Sequence, residues 1–110
     1  MQTKKIAGAT AEQIKEWKSK YGVIKHIVIP REGKNPAEFI AKIPNKNEMA
    51  AMSSVDDSFK YNELMFNTLI LTGDRKYIDD TPDYDPKVYL TLVKELGKLY
   101  APVEAISTSL

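Results

Sequence analysis

The residues able to do chemistry in this chain are few. The single histidine, His26, stands in the apolar run Val23 to Ile29, and no second metal ligand sits near it at ligand spacing. The chain has no cysteine, so thiolate nucleophiles, thiolate metal sites and disulfides are excluded together. Its five glycines stand apart. Gly33-Lys34 lacks the upstream glycine and following Ser/Thr of a phosphate loop, and no G-x-S-x-G or G-x-G-x-x-G occurs. Five aspartates, Asp74, Asp79, Asp80, Asp83 and Asp85, crowd one acidic segment and could gather around a hard cation. No register of an EF-hand supplies both its glycine and its final glutamate. Helix capping and turn chemistry around Pro82 and Pro86 account for these acids without a metal. No catalytic residue, cofactor or metal site is therefore expected.

Adaptable apolar side chains are the remaining candidates. Met49 and Met52 lie three apart, and Met65 follows in the next apolar stretch. Methionine suits a groove that re-packs around a partner, and it fills core gaps equally well. Met49, Met52 and Met65 are the candidate partner-binding residues. Trp17 and Tyr21 could be stacking platforms, but their register with Ala11 and Ile14 assigns them to a core stripe.

Local signals set the elements that must position these residues. Thr10 and Gln13 have capping-box spacing, and the Ala11, Ile14, Trp17, Tyr21 stripe runs to Gly22, which marks the end of a helix. Val23 to Ile29 is rich in β-branched residues and reads as a strand. A loop of about seven residues over Arg31 to Ala37 follows, marked by Gly33, Asn35 and Pro36. Glu38 to Ile43 alternates, with Phe39, Ala41 and Ile43 on an inner face and Glu38 and Lys42 on a wet one. Asn45 and Glu48 cap a short helix near 46–54. Asp56 or Asp57 opens a helix over roughly 57–72 that ends at Gly73. After the acidic segment, Asp85 caps and Pro86 starts a last helix, which ends before Pro102.

These signals describe a small α+β protein of one domain over residues 1–110, in the order α-β-β-α-α-α. A two-stranded antiparallel hairpin is packed by helices. Its ordered part spans about 10–102, with loose segments on either side. The expected core centres on Trp17, Ile27, Phe39, Leu64, Leu69, Leu92 and Leu96.

Composition bounds the partners. The 110 residues are 28% charged and 43% apolar, the balance of a globular protein. The longest strongly apolar stretch, Leu64 to Leu71, is too short to cross a membrane, and Met1 to Lys5 precede no signal-peptide core. A cytoplasmic protein without membrane partners is the expectation. The net charge of +1 hides a split: residues 1–47 hold ten Lys/Arg against four Asp/Glu, and residues 48–110 hold six against eleven. That split permits head-to-tail self-association, which makes a homo-oligomer one expected partner. It also frames an alternative, a small nucleic-acid-binding or regulatory protein using the basic N-terminal half. Against nucleic acid, only two of the sixteen cations are arginine, the residue that clamps phosphate and reads guanine in two-pronged contacts.

The order of several signatures carries a resemblance. A helix with an aromatic residue and a glycine end (Ala11-Glu-Gln-Ile-Lys-Glu-Trp-Lys-Ser-Lys-Tyr-Gly22) leads into a strand. A second strand ends in Lys42-Ile-Pro44, and Asn47-Glu-Met-Ala-Ala-Met52 follows. Asn67 to Asp74 then has the form Asn-x-Leu-Ile-Leu-x-Gly-Asp, ahead of an acidic segment and a Leu-rich helix. Over roughly residues 10–100 the chain resembles small tail assembly chaperone-like proteins of tailed bacteriophages and prophages, although its capped helix after Pro44 is short for that pattern. The resemblance implies a non-enzymatic protein of the bacterial host cytoplasm. Its implied partner is the long helical tape measure protein, or another tail component, during tail morphogenesis.

Overall fold

Helix starts follow the local capping chemistry. In the computed structural model, which describes residues 5–110, α1 (Ala11–Tyr21) opens on a capping box. The Thr10 hydroxyl accepts from Gln13 N at 3.2 Å, and the Gln13 side chain accepts from Thr10 N at 2.9 Å. The second box opens α2 (Lys46–Ser53), where Asn45 Oδ1 accepts from Glu48 N at 2.8 Å and Glu48 accepts from Asn45 N at 2.9 Å. Asp57 caps α3 (Ser58–Leu69), and Asp85 caps α4 (Pro86–Lys98) with Pro86 in its first turn. Each cap satisfies an amide that the first helical turn leaves without a partner.

The sheet has three antiparallel strands in the order β1-β2-β3, not two. β1 (Ile24–Arg31) and β2 (Lys34–Lys42) form the hairpin, with Ile27 opposite Phe39 and Ile29 opposite Ala37. Only Glu32 and Gly33 separate the strands, so the expected seven-residue loop is mostly strand. Pro30 is tolerated because β1 is an edge strand and its register shifts between Ile29 and Arg31. Pro36 lies in β2 outside the stretch Phe39–Ala41 that pairs with β3.

β3 (Ile70–Gly73) corrects the expected helix over 57–72. At Ile70 the backbone leaves the helical region (ψ 118°) and the chain pairs antiparallel with β2 along Phe39, Ile40 and Ala41. Ile70 and Thr72 are β-branched, and the open edge of β2 offers them ladder hydrogen bonds that another helical turn would not. Asp74 extends the pairing: its amide donates to Glu38 O at 3.0 Å, and its carboxylate accepts from Glu38 N at 2.9 Å.

Ile27, Ile29, Ala37, Phe39 and Ala41 form the inner sheet face. They pack with Met52, Met65, Phe66, Leu69, Ile78, Val88, Tyr89, Leu92 and Leu96. Of the expected core, Ile27, Phe39, Leu69, Leu92 and Leu96 are buried, whereas Leu64 and Trp17 are only half-buried. No residue of α1 is buried, so this helix is a peripheral cover and not a core element. Ile43 lies past the end of β2 and is exposed.

Residues 6–9, expected to be a loose lead-in, make a tight turn in which Ile6 and Ala9 exchange both backbone hydrogen bonds and Ala9 is buried. Thr72 Oγ1 donates to Ala7 O at 3.3 Å and ties this turn to β3. Residues 1–4 of that lead-in lie outside the described residues. Residues 101–110 are exposed and carry no regular secondary structure.

Candidate functional site

The three methionines do not line an open groove together. Met52 and Met65 are buried in the core, each 1% exposed, and Met49 is half-buried. Met65 also holds polar chemistry, because Tyr100 Oη lies 3.1 Å from its sulfur and 3.0 Å from Tyr61 Oη. Burial, and then the neighbouring Tyr61 hydroxyl, push the Tyr100 hydroxyl well above the ordinary tyrosine value.

His26 sits on the outer sheet face, where its Nε2 is 2.8 Å from Glu38 Oε1 in a diagonal cross-strand pair. The acidic segment has been divided among structural tasks. Asp74 extends the β2–β3 pairing, and Asp79 is paired with Arg75 through both carboxylate oxygens at 3.2 and 3.1 Å. Asp85 caps α4 and reaches the Arg31 Nε at 3.4 Å. The Arg31 guanidinium lies over the Tyr77 ring, 3.9 Å from its centroid. Partial desolvation acts against ionisation of Asp85, but the amides of Lys87 and Val88 and the Arg31 charge outweigh it and hold the carboxyl below its ordinary value. Among the described residues, no group of three or more His, Cys, Asp or Glu could hold a metal ion.

Lys42 corrects the alternation read from sequence, since it is buried where a wet face was expected. Its ammonium donates to both carboxylate oxygens of Glu48, at 2.5 and 2.6 Å, and lies 5.0 Å from the Tyr21 ring centroid. Desolvation pushes the Glu48 carboxyl up; the Asn45 amide and the Lys42 ammonium together pull it below its ordinary value of 4.5. One carboxylate thus completes a helix cap and neutralises a buried lysine.

A cavity of about 420 Å³ lies beside the Arg75–Asp79 pair. Phe59 and Glu63 from the first half of α3, Tyr89 from α4, and Ile78, Asp79, Asp80 and Tyr84 from the connecting segment line it. Tyr89, in its wall, is the ring on which the other aromatic residues pack. The Phe59 ring is nearly parallel to it at 6.3 Å between centroids, and Tyr84 meets it edge-on at 6.0 Å. On the core side Phe66 packs edge-on at 5.0 Å. Phe59 and Tyr84 are 61% and 46% exposed, whereas Tyr89 is 6% exposed.

Burial first, and then Glu63 and Tyr84, push the Tyr89 hydroxyl above the ordinary tyrosine value; Asn62 acts in the opposite direction. Asn62 nevertheless falls outside hydrogen-bond geometry, and the Tyr89 hydroxyl has no partner among the described residues. Phe59 begins the apolar run of α3, which continues through Tyr61, Leu64 and Phe66, and nothing in that run sets it apart from them. The core stops one to two turns short of it. Nothing local to Tyr84 reveals that it folds back against α4.

Comparison with protein-family models, curated proteins and solved structures finds no match to this chain. Among the described residues, no helix is long and apolar enough to cross a membrane.

Proposed function

We propose that this chain is a non-enzymatic tail assembly chaperone-like protein of a tailed bacteriophage or prophage. It binds the long helical tape measure protein in the bacterial host cytoplasm and keeps it soluble while tail-tube subunits assemble around it. The order of signatures over residues 10–100 supports this reading. The observation that carries it is the exposed aromatic face formed by Phe59 and Tyr84 beside α3 and α4. Large aromatic rings left half in solvent around a cavity suit capture of an amphipathic helix, whose apolar side chains would cover them. Met52 and Met65 belong to the same buried core cluster as Phe66 and Tyr89.

Co-expression with a candidate tape measure protein, with lysis at low and high salt, tests the proposal. The partner should be recovered soluble and bound at both salt concentrations, because apolar burial resists salt whereas phosphate contacts do not. A partner no more soluble with this chain than without it would overturn the reading. So would tight DNA binding at low salt that Lys15→Glu/Lys18→Glu/Lys20→Glu removes.

A further inference from the structure

The cavity beside α3 and α4 combines two features that neither a purely apolar ligand nor an anion would satisfy. Its walls include the rings of Phe59, Tyr84 and Tyr89, and aromatic π-faces carry partial negative charge. Three carboxylates, Glu63, Asp79 and Asp80, border the same space. Asp79 is committed to Arg75, but Glu63 and Asp80 form no ion pair or side-chain hydrogen bond among the described residues. The Tyr89 hydroxyl, without a partner among those residues, is itself enclosed, so Tyr89 offers the cavity its ring alone. A bare metal ion does not fit, since hard cations need six or more oxygen ligands and no such set converges here.

An alkyl stem with a cationic head fits both features. Its methylenes cover the exposed rings of Phe59 and Tyr84, and its charge meets the ring faces and the two uncommitted carboxylates. We infer that this cavity binds the side chain of a lysine presented by the helical protein partner, and that Phe59, Tyr84, Tyr89, Glu63 and Asp80 form the site. Charge complementarity selects the occupant. The volume of about 420 Å³ holds one such side chain with room for its flanking residues. This assignment rests on the proposed function for the source of the lysine; the cavity's preference for an organic cation does not.

Titration of the full chain with n-butylammonium, followed by the ring proton resonances of Phe59, Tyr84 and Tyr89, reads the site directly. Saturable shifts are expected, with no comparable shifts for the neutral butan-1-ol. Glu63→Gln/Asp80→Asn should weaken the affinity about tenfold. Asp80 is exposed, Glu63 is half-buried and neither makes an ion pair among the described residues, so the melting temperature of that variant should be retained, and Phe59→Ala supplies an independent variant with the same expected loss. Equal response to butylammonium and butanol would overturn the site. Binding of choline without binding of butylammonium would assign it to a small quaternary ammonium compound and overturn the lysine.

Co-expression separates the site from the function. A tape measure protein solubilised equally by wild type and Glu63→Gln/Asp80→Asn would refute the site and leave the function standing. Butylammonium binding without any solubilised partner would refute the function and leave the cation preference standing. Self-association lost in the same variant would assign the cavity to a second copy of the chain and overturn the chosen partner.

Discussion

Replacing Gly73 by alanine should be among the most damaging single-methyl additions available in this fold. A Cβ built at Gly73 would stand 2.5 Å from Phe39 Cδ1, 2.6 Å from Glu38 O and 2.8 Å from Phe39 Cα. Two of those three atoms belong to the backbone of β2, which is paired on both sides and cannot withdraw. Relief requires β3 to move, with loss of the two hydrogen bonds between Asp74 and Glu38. Overpacking costs about 1–3 kcal/mol and each lost hydrogen bond about 0.5–1.5 kcal/mol. The φ of +154°, rarely adopted by residues with a side chain, adds to this. The expected total is about 3–5 kcal/mol, a large part of the ~5–15 kcal/mol that holds a small domain together. Urea unfolding followed by Trp17 fluorescence measures it.

Two other glycines calibrate the result. Gly22, at φ +79° with open space around it, should cost about 1–2 kcal/mol as alanine. Gly97 lies in α4 with no atom within 4 Å of its added Cβ, and its alanine variant should gain up to about 1 kcal/mol. Had Gly73 merely ended a helix, it would behave as Gly22 does. A Gly73→Ala cost within about 0.5 kcal/mol of the Gly22→Ala cost would refute the placement of β3 against Phe39.

Leu69→Ala should cost about 2–5 kcal/mol in the same assay, because Leu69 is fully buried where α3 passes into β3. Trp17→Ala should cost less than about 2 kcal/mol, since α1 contributes no buried residue and Trp17 keeps part of its surface in water; far-UV circular dichroism melts would check it. The folded pKa of Glu48 is below its ordinary 4.5, so its pairing with Lys42 stabilises fully above about pH 4.5. That stability is lost as pH falls through the lower folded value. Urea midpoints between about pH 6 and pH 3 should therefore decline less steeply in Glu48→Gln than in wild type.

Legibility tracked the range of the interaction. The caps at Thr10, Asn45, Asp57 and Asp85 each involve partners two or three residues apart; three stand at the expected positions, and Asp57 is one of the two expected for α3. The β1–β2 hairpin was legible from its two short strand patterns, but its register, Ile27 opposite Phe39, was not, because the turn is two residues long where about seven were expected. β3 was not legible, because Ile70 to Thr72 continue an apolar helical stripe and only the open edge of β2, some thirty residues upstream, makes them a strand. Lys42 read as a wet-face residue because its burial depends on Tyr21 and Glu48 arriving from two other elements. The aromatic cavity was hidden for the same reason, since Phe59, Tyr84 and Tyr89 belong to separate segments that meet only in the folded chain.

Sedimentation of a purified tape measure protein, alone and mixed with this chain, tests the central claim most directly. The partner should pellet alone and remain in the supernatant as a complex when this chain is present, at low and high salt alike. A partner that pellets to the same extent with and without the chain would contradict it.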